Sequence, residues 1–206
     1  MLGKDSDYFL ELQTQTGWGK TLQGFAEWCN PQPGWSVVDV GCGPGLLPAI
    51  FSKMGCGSVG LDLDMGMFRP KPLHRQVIVA DVYQPPFPAG RFDLVTCSNL
   101  LFLLPGPERA MYEIRKLVTP GGRLAMLNPS EQLNEAAASD YAQAKNLQGM
   151  ALATLLNWAK RAVRNHRWTD SETCDLYISA GYTYMGSVLK VGPGFARFSW
   201  GVVQSI

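Results

Sequence analysis

The sequence predicts an α/β fold in which helices cover both faces of a mostly parallel sheet. Three observations carry that expectation. Between residues 36 and 127, short apolar runs of strand character alternate with segments of helical spacing, the pattern of a doubly wound sheet. The first apolar run passes through a glycine-rich turn, Gly41-Cys42-Gly43-Pro44-Gly45, straight into a helical segment. The last two strand-like runs are joined by Gly192-Pro193-Gly194 and read as a hairpin.

Bulk composition fits one globular domain over residues 1–206. The chain is 46% hydrophobic and 17% charged, far from the disordered regime. A net charge of +1 supplies no strong field for nucleic acid or an anionic membrane. Five cysteines, at 29, 42, 56, 97 and 174, are odd in number and form no C-x-x-C pair. That argues against a metal site or a disulfide framework and for reduced thiols, hence a cytoplasmic protein. The start has no apolar core of signal-peptide length, and no apolar run reaches transmembrane length.

Residues 1–35 read as N-terminal helices. Tyr8, Phe9, Leu10 and Leu12 mark a short amphipathic segment, and Thr14 to Gly19 a polar break. Thr21 to Trp28 follows as a helix, stopped by Asn30-Pro31-Gln32-Pro33-Gly34. Val37 to Val40 is the first strand, interrupted only by Asp39. Gly41, Gly43 and Gly45 permit positive φ and let a ligand lie against bare main chain. Leu46 to Phe51 is the next helix, ending near Gly55. Its N-terminus offers free N–H groups at the carboxyl edge of the sheet, where open α/β sheets take ligands.

Ser58 to Leu63 is the second strand and carries Asp62, placed to accept hydrogen bonds from both hydroxyls of a ribose. Asp64 reads as an N-cap of a helix kept short and broken by Pro70 and Pro72. Val77 to Ala80 is the third strand, followed by Asp81-Val82. Phe92 to Cys97 is the fourth, and Cys97-Ser98-Asn99-Leu100 ends it facing the cleft. His74 has no evident partner. Pro107 to Val118 is a helix, Thr119-Pro120-Gly121-Gly122 its stop and turn, and Arg123 to Leu127 the fifth strand.

Residues 128–168 read as a helical cap inserted after the fifth strand. Leu147, Met150, Ala151, Leu155, Trp158, Ala162 and Val163 form one apolar stripe. Lys160, Arg161, Arg164, His166 and Arg167 lie on the other face, which a solvated surface explains better than an acidic or RNA ligand does. Residues 169–206 hold a helix opened by a Thr169/Glu172 capping box, then the hairpin, whose last strand is expected to run antiparallel near the sheet's edge.

The glycine turn is G-x-G-x-G. A dinucleotide fingerprint, G-x-G-x-x-G, would need glycine where Leu46 stands, which disfavours a nicotinamide-dependent oxidoreductase. With Asp39 in its strand, the run resembles motif I of class I S-adenosylmethionine-dependent methyltransferases. Gly60-Leu61-Asp62-Leu63-Asp64 resembles their motif II, Asp81-Val82 motif III and Phe92 to Asn99 motif IV. The resemblance implies a Rossmann-like, seven-stranded, mostly parallel sheet. It implies S-adenosylmethionine as cofactor, S-adenosylhomocysteine as product, and methyl transfer by in-line displacement to a small-molecule acceptor. It assigns cofactor binding to Asp39, Gly41, Cys42, Gly43, Gly45, Asp62, Leu63, Asp81, Val82, Cys97 and Ser98. Asp81 would receive the adenine amino group, and Leu63 would pack near the ring. Tyr8 and Trp18 become lid aromatics, and with Asn99 and Phe102 they are candidate acceptor contacts. Asn/Asp-Pro-Pro-Tyr is missing after the fourth strand, and Phe102-Leu103 stand where many members carry a His pair, so no general base emerges. A cofactor-binding partner protein without turnover, and an RNA methyltransferase, are the rival readings.

Overall fold

A computed structural model describes residues 4–68 and 72–204. Helix α1 (Lys4–Gln15) runs almost directly into α2 (Gly17–Cys29). The expected break over Thr14 to Gly19 shrinks to Thr16, whose side chain accepts from the Trp18 N–H and caps α2. One capping hydroxyl suffices to restart a helix there, so the neighbouring glycines remain helical. Strand β1 (Ser36–Val40), helix α3 (Leu46–Lys53) and strand β2 (Gly57–Asp62) follow. The next segment is a single 3-10 turn, Met65–Phe68, in which Asp64 accepts from the Gly66 N–H. Pro70 lies outside the described residues. Strands β3 (Val77–Val79) and β4 (Phe92–Ser98) precede helix α4 (Pro107–Leu117).

Strand β5 (Val118–Pro129) is longer than expected at both ends. Thr119 to Gly122 does not turn away from the sheet. It enters β5 through a bulge, with Gly121 at φ 76°, and exchanges main-chain hydrogen bonds with Val203. The cap is two helices, α5 (Glu135–Ala144) and α6 (Gly149–Arg164). Helix α7 (Asp170–Ser179) has the anticipated capping box, and β6 (Thr183–Lys190) and β7 (Ala196–Val202) form the hairpin.

The sheet has seven strands in the order β3-β2-β1-β4-β5-β7-β6. The five strands from β3 to β5 are parallel, and β7 runs antiparallel to both β5 and β6. The final strand therefore sits inside the sheet, and β6 takes the edge. On one face, Ala110, Met111 and Ile114 of α4 and Leu176 and Tyr177 of α7 pack on Val38, Val95 and Leu124. On the other, Phe25 of α2 and Ile50 and Phe51 of α3 pack on Val37, Leu94 and Phe198. A third cluster joins α5 and α6 to Phe102 and Phe195.

That third cluster keeps Leu155 and Ala162 of the cap's expected stripe buried, with Leu147 and Trp158 packed against them, adds Ala159, and leaves Val163 exposed. No described helix is long and apolar enough to cross a membrane. The insert is fastened to the sheet by Arg197 of β7. Its buried guanidinium pairs with both Glu131 oxygens at 3.0 and 2.9 Å, reaches Asp170 at 3.2 Å, and donates to the Trp168 carbonyl.

Candidate cofactor and acceptor site

The turn after β1 is pinned to its neighbour strand: the Gly41 and Cys42 N–H groups both donate to the Leu61 carbonyl, at 2.7 and 3.0 Å. Gly41 and Gly43 have φ of 77° and 53°, values that an L-residue adopts only at a cost. A Cβ at Gly41 would stand 2.9 Å from the Leu100 side chain, so Leu100 can pack against the turn only where no side chain is present. A Cβ at Gly43 would meet nothing but the Gln13 amide at 3.5 Å and would project into open space.

Asp62 closes this corner. Its Oδ2 accepts from the Gly43 N–H at 2.8 Å and its Oδ1 from the Asp64 N–H at 3.0 Å. Burial raises its pKa, and these two N–H bonds oppose the rise. Each oxygen keeps a second lone pair, so the carboxylate is fixed in position yet can still accept from a vicinal diol. Asp39 lies deeper, 2% exposed, and accepts from Thr96 at 2.8 Å. Burial pushes its pKa up to about 8, against the Thr96 hydrogen bond and helped by the Asp62 charge. Burial also raises the Cys42 thiol, with Asp39 and Asp62 adding to it.

These groups line one end of a cavity of about 430 Å³, within the roughly 300–1,000 Å³ span of small-molecule sites. Asp39, Gly41, Cys42, Gly43, Asp62 and Ser98 form its floor at the turn. Leu100, Phe102 and Leu103 continue the floor past β4. Tyr8, Phe9, Leu12 and Gln13 of α1 and Trp18 and Leu22 of α2 form the roof, and α6 forms a wall through Thr154, Asn157, Trp158, Lys160, Arg161 and Arg164. Lid and cap touch each other: Trp18 packs edge-on against Trp158 at 5.6 Å, and the Tyr8 hydroxyl lies 3.4 Å from that of Thr154.

Asn99 sits where the floor changes character, at φ 53° just past β4. The Trp158 indole N–H donates to its Oδ1 at 3.0 Å. An indole can only donate, so the amide orientation follows. The Asn99 Nδ2 is left buried with no described partner.

Five expected cofactor residues do not line the cavity. Gly45 is buried, and a Cβ there would press on His74 at 3.2 Å. Cys97 is fully buried in the core under α4, its thiol pushed up by that burial. It is a strand residue on the core face, so it cannot face the cleft as expected. Val82 is 7% exposed in the same core. Asp81 accepts from the Tyr83 N–H at 2.9 Å. Leu63 stands 68% exposed just past β2.

Gln13 was not singled out by the sequence, yet its Oε1 accepts from the Leu46 N–H at 3.2 Å, one of the free donors expected at the start of α3. Nothing in a glutamine on an amphipathic helix signals that role. The cations of α6 were expected on a solvated face; Lys160, Arg161 and Arg164 are exposed, and the same three border the cavity. His74 does have a partner, the Ser58 carbonyl at 2.9 Å.

Comparison with known proteins agrees with this geometry. A methyltransferase-domain family matches residues 38–126. The chain is 30% identical over 165 residues to a demethylmenaquinone methyltransferase of Corynebacterium kroppenstedtii, covering 76% of this chain and 72% of that one. It is 30% identical over 122 residues to a ubiquinone biosynthesis O-methyltransferase of Alkalilimnicola ehrlichii, covering 52% of this chain but only 49% of the relative. Among solved structures, a methyltransferase in complex with a methyltransferase activator from Haloferax volcanii superposes with a TM-score of 0.72 at 15% identity, over 100% of this chain and 99% of that one. Magnesium protoporphyrin IX methyltransferase of Synechocystis, with bound S-adenosylhomocysteine, gives 0.67 at 15% identity, over 95% and 88%. The chain belongs to the S-adenosylmethionine-dependent methyltransferases of the Rossmann-like class.

Proposed function

We propose that this methyltransferase acts on a small molecule held between the floor of the cavity and the roof made by α1, α2 and α6. The observation that carries the reading is the cavity's two-part character. Its polar end, at Gly43 and Asp62, is continuous with an apolar end at Phe102, Leu103 and Phe9, closed over by helices. Relatives whose printed names are those of ubiquinone and demethylmenaquinone methyltransferases support the same substrate class.

When bound, S-adenosylmethionine supplies a methyl group already activated on a sulfonium. In this reading Asp62 accepts from the ribose hydroxyls, and Gly41 and Gly43 give the ligand room against the main chain. The adenine would extend past Asp62 beyond the cavity, with Asp81 taking its amino group and the exposed Leu63 covering the ring, and Ser98 borders the methionine portion. Trp18 and Tyr8 offer aromatic faces to a cation. No histidine lines the cavity, the Cys42 thiol is held protonated, and Asp39 keeps its proton up to about 8. The chain's own contribution is then alignment of the acceptor and exclusion of water, not proton abstraction by a strong base.

The test is incubation of the protein with methyl-labelled cofactor and cell extract, followed by ultrafiltration. Label is expected in the small-molecule filtrate. Label confined to retained protein or RNA contradicts the reading.

A further inference from the structure

Helix α6 presents two faces. Leu155, Ala159 and Ala162 enter the cap's core, while Lys160, Arg161 and Arg164 lie on the wall of the cavity. Cations in the last turn suit the helix dipole, which accounts for their place along the helix. It does not account for three like charges, at i+3 and i+4 spacings, gathered on one cavity wall, where they repel one another. None of them forms a salt bridge with a described acidic residue. The cavity's own acids do not answer them either. Asp62 is committed to the Gly43 and Asp64 N–H groups, and Asp39 to Thr96. Beneath the cations the floor is apolar, with Phe102 fully buried at its base.

We propose that the methyl acceptor is an amphipathic anion, an apolar body lying against the half-buried Leu100 and Leu103 with an acidic group held at the rim by Arg161, Arg164 and Lys160. The guanidinium fork favours oxyanions with two oxygens to offer, such as carboxylates, sulfonates or phosphates. The inference rests on the proposed placement of a small acceptor in this cavity. The competing assignment gives the cations to the cofactor's own carboxylate.

The experiment uses protein saturated with S-adenosylhomocysteine and two fluorescent ligands, anilinonaphthalene sulfonate and phenylnaphthylamine. They share an apolar body and differ by one sulfonate. The sulfonate is expected to bind at least about tenfold more tightly than the neutral ligand, a difference of ~1.4 kcal/mol. Replacing the exposed cations together (Lys160→Gln, Arg161→Gln, Arg164→Gln) is expected to erase that preference. The variant should retain its melting temperature and its S-adenosylhomocysteine affinity. Equal binding of the two ligands, no binding of either, or a preference that survives the triple variant overturns the inference. So does a variant that loses S-adenosylhomocysteine affinity while still preferring the sulfonate. Displacement of the sulfonate by single-stranded RNA, abolished by salt, also overturns it in favour of a nucleic-acid surface. Failure of the wild-type protein to bind S-adenosylhomocysteine at all is a different result, and it strikes the proposed function itself.

Discussion

Asp39 is a carboxyl group held 2% exposed against a single hydroxyl, and it makes stability depend on pH. Its folded pKa of about 8 lies above the ordinary carboxyl value of 3.8. Below the lower value it is protonated in both states, and its contribution is fully present. Between the two, the unfolded chain has released the proton while the native chain keeps it, so stability falls as pH rises, by up to ~1.4 kcal/mol per pH unit. Asp39→Asn cannot titrate. Thermal melts across that window are expected to show the variant gaining on the wild type as pH increases. A constant gap between them would contradict the burial argument. Gln13 makes a second case. Gln13→Ala leaves the Leu46 N–H without its described partner and is expected to cost about 1 kcal/mol in urea denaturation. The two residues were not equally visible in sequence. Asp39 stands beside a glycine turn whose main-chain demands are written in the local residues. Gln13 acquires its role only when α1 folds over α3, and no local pattern encodes that.

At the scale of elements, the strands of the parallel region were legible because each is a short apolar run between breakers. The misreadings have local causes. Thr119 to Gly122 carries a proline and two glycines and reads as a turn, but partners on both sides keep it in the sheet as a bulge. The buried face of α6 includes Ala159, whose weak hydrophobic signal kept it out of the expected stripe, while Val163 turns to solvent. The fastening of this insert to the sheet concentrates in Arg197, which is 7% exposed and bridges Glu131, Asp170 and the Trp168 carbonyl. The hydroxyls of Ser187 and Tyr184, and to a lesser extent the Arg197 charge, hold the Asp170 carboxyl below its ordinary value. Arg197→Leu is expected to destabilise the protein by about 2 kcal/mol or more, since several hydrogen bonds to charged partners go at once. Limited proteolysis should then cut within residues 131–167 before the core. Uniform proteolysis of the variant would contradict the fastening role.

For the whole molecule, the sheet order sets the geometry of the site. The order in which strands are laid down switches sides between β1 and β4, and the carboxyl ends of the parallel strands β1, β2 and β4 deliver the glycine turn, Asp62 and Ser98 to one edge. Helices α1, α2 and α6, all outside that central region of the sequence, close over this edge and complete the cavity above the apolar floor of Leu100, Phe102 and Leu103. The glycine turn, Asp62 and Ser98 at this edge were therefore readable from motifs, while the rest of the cavity depends on distant elements meeting. Calorimetric titration of S-adenosylhomocysteine into the wild type and Asp62→Asn tests this most directly. The amide replaces one accepting oxygen with a donor that opposes the Gly43 N–H and any ribose hydroxyl. The account predicts saturable one-to-one binding to the wild type and a loss of at least about tenfold in the variant, ~1.4 kcal/mol. Equal affinity of the two proteins would contradict it.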